Sequence, residues 1–310
     1  MNPCNSRHLH RESAPMKTRS PTNWNLQWRW LPALLWLIAV TAMPVARAAD
    51  SPLVMGVFPR FHASETTTRY APLADHLSER LGRKVSLSTA KNFESFWQSV
   101  EEQRYDIVMY NQYHYIRSAK NYVVIAHNKE FGKSTLAGVL YVRKDSNITS
   151  LIQLRGRTVL FGGGEDAMIG YIAPIYMMLQ AGLKKEDFKS RFAVNPLNSV
   201  IAMYHKHADA AGSGDGVVEQ PAVKKAINTD ELTVLAISEQ LLHLPWAVKR
   251  TMPARLRESI QSVLVELENS EAGRKVLNAA ILTGMGKAED KDYDPHRKIV
   301  KAVMGASILQ

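Results

Sequence analysis

The sequence predicts an α/β protein of two lobes, each a mainly parallel sheet covered by helices, with a cleft at a hinge between them. Three observations predict it. Short apolar runs rich in β-branched and aromatic residues alternate with segments of helical apolar spacing. Gly82 and Gly182 stand where two of those helical segments stop. The alternation runs through twice, with the polar stretch Lys144-Asp145-Ser146-Asn147 marking the crossing.

The first series opens with Leu53–Phe58, an apolar run suited to a buried strand and closed by Pro59. A polar loop with Arg60, His62 and Arg69 precedes a helix over Tyr70–Leu81, whose apolar positions are Leu73, Ala74, Leu77 and Leu81. Val85–Thr89 reads as a strand, and Phe93, Phe96, Trp97 and Val100 mark a helix. Ile107–Tyr110 is the next strand, Tyr113, Ile116 and Arg117 a third helical segment, and Val123–Ala126 and Gly138–Arg143 two further strands. The second series contains strand 158–161, helix 169–181, strand 192–194, helix 199–205, strand 208–211, helix 217–228 and strand 232–237. A strand at 246–248 and two helices, carrying Leu256, Ile260, Val263 and Leu264 and then Val276, Leu277, Ala280 and Ile281, complete the chain. The expected partition is a signal segment at 1–48, a discontinuous first lobe of 49–143 plus 239–310, and a second lobe of 144–238. Two α/β lobes crossed twice by the chain suit a hinged binding protein, with its ligand beyond the strand C-termini.

The formal net charge is +10 over 310 residues, but its distribution argues against a polyanion partner. Arg7, Arg11, Lys17, Arg19, Arg29 and Arg47 against the single Glu12 place half of it in residues 1–48, and no long basic block follows. No nucleic-acid partner is expected. Residues 1–48 have the layout of a cleaved secretory signal: basic residues to Arg29, an apolar run from Trp30 to Val45, and Ala46-Arg47-Ala48 before a cleavage point at Ala49. Met16-Lys17-Thr18-Arg19 would make a more typical start than Met1. The expected location is periplasmic. The one cysteine, Cys4, falls in the leader, so the mature chain is expected to have no disulfide and no thiolate site.

The stretch with most chemical content is Thr158 to Tyr171, read as strand, glycine turn and helix. Such a turn aims free backbone N–H groups at a ligand, and glycines allow its close approach. Glu165 and Asp166 stand where an anion would otherwise bind. Carboxylates there suit a helix start, where they cap N–H groups and favour the dipole. Equally, they could face the cleft and, with Asp215, form an acidic pocket for an amine, a guanidinium or a metal cation. A ligand of both signs could then use Arg60, His62 or Arg69. Tyr110-Asn111-Gln112-Tyr113-His114-Tyr115 is dense in hydrogen-bonding and aromatic groups directly after a strand, and Tyr110 and Asn111 are the expected contacts, with Tyr115 in the core. Tyr204-His205-Lys206-His207 reads as surface, and Met177, Met178, Trp97 and Trp246 as packing. The glycines match neither a dinucleotide fingerprint nor a P-loop, and Gly212-Ser213-Gly214 is one residue too tight for a nucleophile elbow. No enzyme and no cofactor are expected.

Several segments in order give the chain a family resemblance: Val54-Met55-Gly56-Val57-Phe58-Pro59, Tyr70-Ala71-Pro72-Leu73-Ala74-Asp75-His76-Leu77 with Leu81-Gly82, Tyr105-Asp106-Ile107-Val108 running to Tyr110 and Tyr113, Leu154-Arg155-Gly156-Arg157-Thr158-Val159, and Ala208-Asp209-Ala210-Ala211-Gly212 before Asp215. The chain resembles the periplasmic phosphate/phosphite/phosphonate-binding proteins of ABC transporters, of the type II periplasmic-binding-protein fold. The resemblance implies a receptor that closes on a small oxyanion and hands it to an ABC permease, and the chain is expected to act as a monomer. The resemblance further implies a Ser/Thr-rich anion turn, a tyrosine matched by Tyr110 and an acidic residue matched by Asp215. The sequence departs at the turn, where Gly163-Gly164-Glu165-Asp166-Ala167 has no hydroxyl donor. Candidate ligand residues are therefore Tyr110, Asn111, Gly163, Gly164, Glu165, Asp166, Ala167 and Asp215. Alternatives are a receptor for a membrane histidine kinase and a cation- or metal-binding accessory protein.

Overall fold

A computed structural model describes residues 51–309, so the expected leader lies outside the described residues. The first series is β1 (Leu53–Val57), α1 (Ala63–Leu81), β2 (Val85–Thr89), α2 (Phe93–Glu101), β3 (Ile107–Met109), α3 (Gln112–Ser118) and β4 (Tyr122–Lys129). After β5 (Thr135–Leu136) come β6 (Gly138–Arg143), β7 (Thr158–Gly162), α4 (Ala173–Gln180), β8 (Lys189–Ala193), α5 (Pro196–Tyr204), β9 (Ala210–Gly214), α6 (Pro221–Ala226) and β10 (Leu232–Ile237). The chain returns through β11 (Leu241–Leu242) to β12 (Pro245–Lys249), α7 (Ala254–Val265), α8 (Glu271–Ala279), β13 (Gly284–Lys287) and α9 (Asp294–Met304).

The strands form one sheet in each lobe. The first has the order β13-β4-β12-β3-β1-β2 and the second β10-β6-β9-β7-β8. Three strands run parallel in each, β2-β1-β3 and β8-β7-β9. The next strand is antiparallel in each case, β12 beside β3 and β6 beside β9, and each is the strand with which the chain enters that sheet from the other lobe. The two crossings pair with each other as a two-stranded ribbon, Leu241 opposite Leu136 and Leu242 opposite Thr135. A ribbon this narrow can flex while both sheets stay rigid, so it is the hinge.

Local chemistry explains most boundaries. Gly82 ends α1 in the left-handed conformation, with φ 59°. Helix α1 begins two turns before the predicted Tyr70 because its first turns are polar: Thr67 and Thr68 hydroxyls bond back to the Ala63 and Ser64 carbonyls, leaving no apolar period to read. The expected helix 217–228 is broken into a 3-10 turn, Val217–Glu219, and the short α6 that starts at Pro221.

Two placements differ from the expected partition. Strand β6, expected in the first lobe, pairs with β9 and β10 in the second sheet, so the crossing precedes Gly138. Helix α9 also departs from the first lobe: Ile299, Val300 and Val303 join the apolar cluster of Leu140, Val159, Phe161 and Met178 in the second. Tyr113 and Ile116 of α3 belong to that same cluster, so α3 and α9 bind the lobes together beside the hinge.

Candidate functional site

In an α/β fold of this kind the ligand cleft belongs beyond the ends of the parallel strands. On the first lobe, β3 runs out at Tyr110 and α3 begins at Gln112. Asn111 between them is the N-cap: its Oδ1 accepts the His114 N–H at 3.0 Å. Its Nδ2 is left to donate outward, and it donates to the Asp166 carbonyl of the second lobe at 3.1 Å. One turn on, His114 Nε2 lies 3.2 Å from Asp166 Oδ2. Two donors from one lobe therefore converge on one residue of the other.

His114 is held rigidly. It is 2% exposed and walled by Phe93, stacked at 6.4 Å, Trp97 at 5.0 Å and Tyr113 at 5.7 Å between ring centroids. The Arg117 guanidinium lies 4.2 Å from the Trp97 ring centroid. His114 Nδ1 is buried without a hydrogen-bond partner. Burial alone would raise the Asp166 carboxyl, but the interaction with the His114 ring, with a contribution from Arg117, holds it below the ordinary carboxylate range.

The glycine turn is built for close packing of the chain against itself. Gly163 has φ 109°, a conformation open to glycine. A Cβ at Gly170 would collide with the Gly162 carbonyl, so the start of the following helix rests directly on the end of β7. That start is a π-helical turn, Met168–Ile172, in which Tyr171 and Ile172 N–H groups both bond to the Ala167 carbonyl. Neither acid caps it: no side chain bonds to its N-terminus, Glu165 is exposed, and Asp166 turns across the cleft. A Cβ on Gly164 would stand 2.9 Å from Asp166 Oδ1, so the bare glycine lets that carboxylate fold over the backbone.

Two expected contacts have other partners. Tyr110 is wholly buried in the first lobe's core, its hydroxyl 2.9 Å from Ser118 Oγ, and burial pushes that hydroxyl well above its usual pKa. The residue follows β3 but points into the sheet's packing face, among Tyr115 and Tyr122. The expectation that Tyr110 faces the cleft is thus corrected. Asp215, at the end of β9, is engaged with both crossings: Oδ1 accepts the Ala137 N–H at 3.2 Å and Oδ2 the Gln240 amide at 3.3 Å. Thr135 Oγ1 in turn bonds Gln240 Oε1 at 2.9 Å. Asp215 is a hinge residue in this structure.

A second polar cluster lies at the hinge side of the first lobe. Arg60 pairs with Glu130 at 2.7 Å, and His243 Nε2 is 3.8 Å from Glu130 Oε2. Desolvation brings His243 down to about 4, so it is neutral, and its Nδ1 accepts the Leu244 N–H, which places its proton on Nε2. Tyr70, pushed up to about 12 by burial, has its hydroxyl beside Arg60 and without a hydrogen-bond partner. Arg69 pairs with Glu65 instead.

Sequence reasoning missed His114, Phe93, Glu130 and His243. His114 stood within the stretch singled out for its polar density, and its place three residues after a capping Asn was the usable signal. Glu130 carried none, because its partner Arg60 is 70 residues away. Tyr115 and Trp246 are buried, Met178 is core, and His205 and His207 are exposed. Among the described residues no group of three or more His, Cys, Asp or Glu is placed to hold a metal ion.

Residues 55–293 match the family model described as the ABC transporter, phosphonate, periplasmic substrate-binding protein. Solved structures share the fold at low identity. PhnD1 from Prochlorococcus marinus in complex with methylphosphonate is 19% identical, with a TM-score of 0.70 over 82% of this chain and 98% of that one. A Xanthomonas citri protein bound to ATP is 17% identical, with a TM-score of 0.71 over 82% and 98%. A binding protein component of an ABC phosphonate transporter from Pseudomonas aeruginosa is 15% identical, with a TM-score of 0.68 over 82% and 87%. The fold is the two-lobed type II arrangement of periplasmic binding proteins.

Proposed function

Because the chain belongs to the periplasmic phosphonate substrate-binding proteins of ABC transporters, we propose that it captures a small phosphonate-class oxyanion between its lobes and delivers it to an ABC permease. The observation that carries the ligand class is the convergence of Asn111 Nδ2 and His114 Nε2 on oxygens of Asp166. Two N–H donors fixed by a helix cap and an aromatic wall are a receptor for oxygen acceptors, and a charged acceptor gives the stronger bonds. Motion about the β5–β11 ribbon parts the turn 163–167 from those donors to admit the oxyanion and brings the lobes back over it. The closed shape is what a permease recognises.

In this reading the protein works as a monomer, exported with its leader cleaved before Ala49. Light scattering would give one chain mass, and N-terminal sequencing of the exported protein would start at Ala49.

The main test is a thermal-shift panel on the purified protein with phosphate, phosphite, methylphosphonate, an alkanesulfonate, simple amines and divalent metals. A ligand at about a hundred times its Kd stabilises by about 2.7 kcal/mol, a readily visible rise in Tm. A rise with a phosphorus oxyanion supports the proposal. A rise confined to amines or metals overturns the ligand class and returns the Glu165–Asp166 turn to the role of a cation site.

A further inference from the structure

The geometry points to Asp166 as an intramolecular anion: its carboxylate occupies the first-lobe donors that the incoming oxyanion takes, so the receptor rests with its lobes latched and the ligand enters by displacing Asp166. This inference rests on the oxyanion reading above and adds how the site is kept and opened.

Four features of the structure carry it. The carboxylate crosses from one lobe to the other, with Oδ2 on His114 Nε2 at 3.2 Å, and the carbonyl of the same residue takes the Asn111 amide at 3.1 Å. Asp166 stands on a turn whose glycine at 164 leaves room for the carboxylate to fold over the backbone. It does not serve the helix behind it, where the N-cap position, Ala167, has no side-chain bond. The two partners are also unequally covered: the His114 side chain is 3% exposed, whereas that of Asp166 is 36% exposed. The donor is thus a fixed element of the wall, while the acceptor reaches solvent on its open side, where a competing anion can approach and exchange with it.

The charged groups around the contact agree with exchange. Arg117, held over Trp97 and Tyr113, adds positive potential on the first lobe, and Glu165 adds a negative charge beside Asp166 on the second. With Asp166 seated, its charge is matched by the His114 donor and the Arg117 field. Once a dianionic ligand takes the donors, Asp166 and Glu165 are repelled from it and turn outward to water, where ionised carboxylates are well solvated. No bond is made or broken covalently. The latch lowers apparent affinity, because a tethered carboxylate competes at a high effective concentration, on the order of millimolar for a short linker. In exchange, only anions that bind the donors better than a carboxylate does close the receptor productively, which disfavours carboxylic acids.

The test uses the chain with Cys4→Ser, so that nitroxide labels attach only at Asp75→Cys in the first lobe and Lys225→Cys in the second, both exposed positions. Pulsed electron resonance reads the interlobe distance without ligand, and calorimetry reads methylphosphonate affinity. The latch predicts that Asp166→Ala lengthens the ligand-free distance and tightens methylphosphonate binding at least tenfold. Asp166→Asn keeps the shape and an acceptor oxygen while removing the charge, and serves as the second variant if alanine impairs folding; it is expected to tighten binding by a smaller factor. An unchanged distance, or measurable methylphosphonate binding that is unchanged or weakened in both variants, overturns the latch and makes Asp166 a brace or a direct ligand contact. A longer distance with no oxyanion bound by any variant would uphold the latch and reject the proposed ligand class, so the two readings fail separately.

Discussion

Asp215 Oδ2 accepts a hydrogen bond from the Gln240 side-chain amide at 3.3 Å, which ties the end of β9 to the second crossing of the chain. The opposite oxygen of the same carboxylate holds Ala137 of the first crossing. One side chain thus holds both crossings of the chain beside the hinge strands, in the position where the family resemblance implied a ligand contact.

A hinge tie and a ligand contact predict different partners in mutagenesis. As a hinge residue, Asp215→Ala weakens methylphosphonate binding by changing the closure equilibrium, and Gln240→Ala reproduces the effect to within a few-fold: the first removes the bonds to Ala137 and Gln240, the second those to Asp215 and Thr135, at about 1 kcal/mol a bond. Calorimetry on both variants is the check. A large loss at Asp215 with wild-type binding at Gln240 would move Asp215 into the ligand site.

Tyr110 is expected to matter for stability and not for affinity. Tyr110→Phe loses the hydroxyl contact to Ser118 and should cost about 1 kcal/mol. Tyr110→Ala empties a fully buried ring position and should cost about 3–5 kcal/mol. Urea unfolding measures both, and a drop in ligand affinity for the phenylalanine variant would contradict the core placement.

Gly170→Ala is expected to destabilise by about 1–3 kcal/mol, the usual range for overpacking, because the added methyl meets the Gly162 carbonyl and forces the π-helical turn off β7. Gly182→Ala offers a contrast. A Cβ there meets no neighbour, so its cost is the strain of φ 86° alone. Thermal melts of the two variants separate collision from strain.

Acid should destabilise the protein through His296. Burial brings this histidine from 6.5 down to about 4, with its Nε2–H donating to the Leu242 carbonyl and Nδ1 buried without a partner. Between pH 6.5 and 4 the unfolded chain binds the proton and the folded chain does not. The contribution is therefore fully present above pH 6.5 and is lost progressively as pH falls toward 4, by about 3 kcal/mol in all. His243 adds in the same window. Denaturant unfolding at pH 7 and pH 4.5 should show a smaller difference for His296→Gln than for the parent protein; an equal difference would place the acid sensitivity elsewhere.

Apolar periodicity was sufficient for most of the two series of strands and helices, because it records which face of each element is buried; the polar first turns of α1, the break before α6, and β13 and α9 were not read from it. The stretch after β3 and the glycine turn after β7 were recognisable for a related reason: both follow strand C-termini, where an α/β fold opens its cleft. Gly82 and Gly163 were readable as turn positions because positive φ is a local demand of the backbone.

Tertiary structure decided which side chain in those stretches reaches across. Between Tyr110 and His114 the chain passes from strand to helix, and the side-chain direction changes with it, so the tyrosine enters the core and the histidine faces the other lobe. The partners of polar atoms were likewise a tertiary matter. Asn111 finds Asp166 55 residues away and Asp215 finds Ala137 at a distance of 78. Burial has a period along the chain and can be read from it; the pairing of hydrogen-bond donors with acceptors across a cleft has none, and is settled only when the two sheets are packed on either side of the hinge.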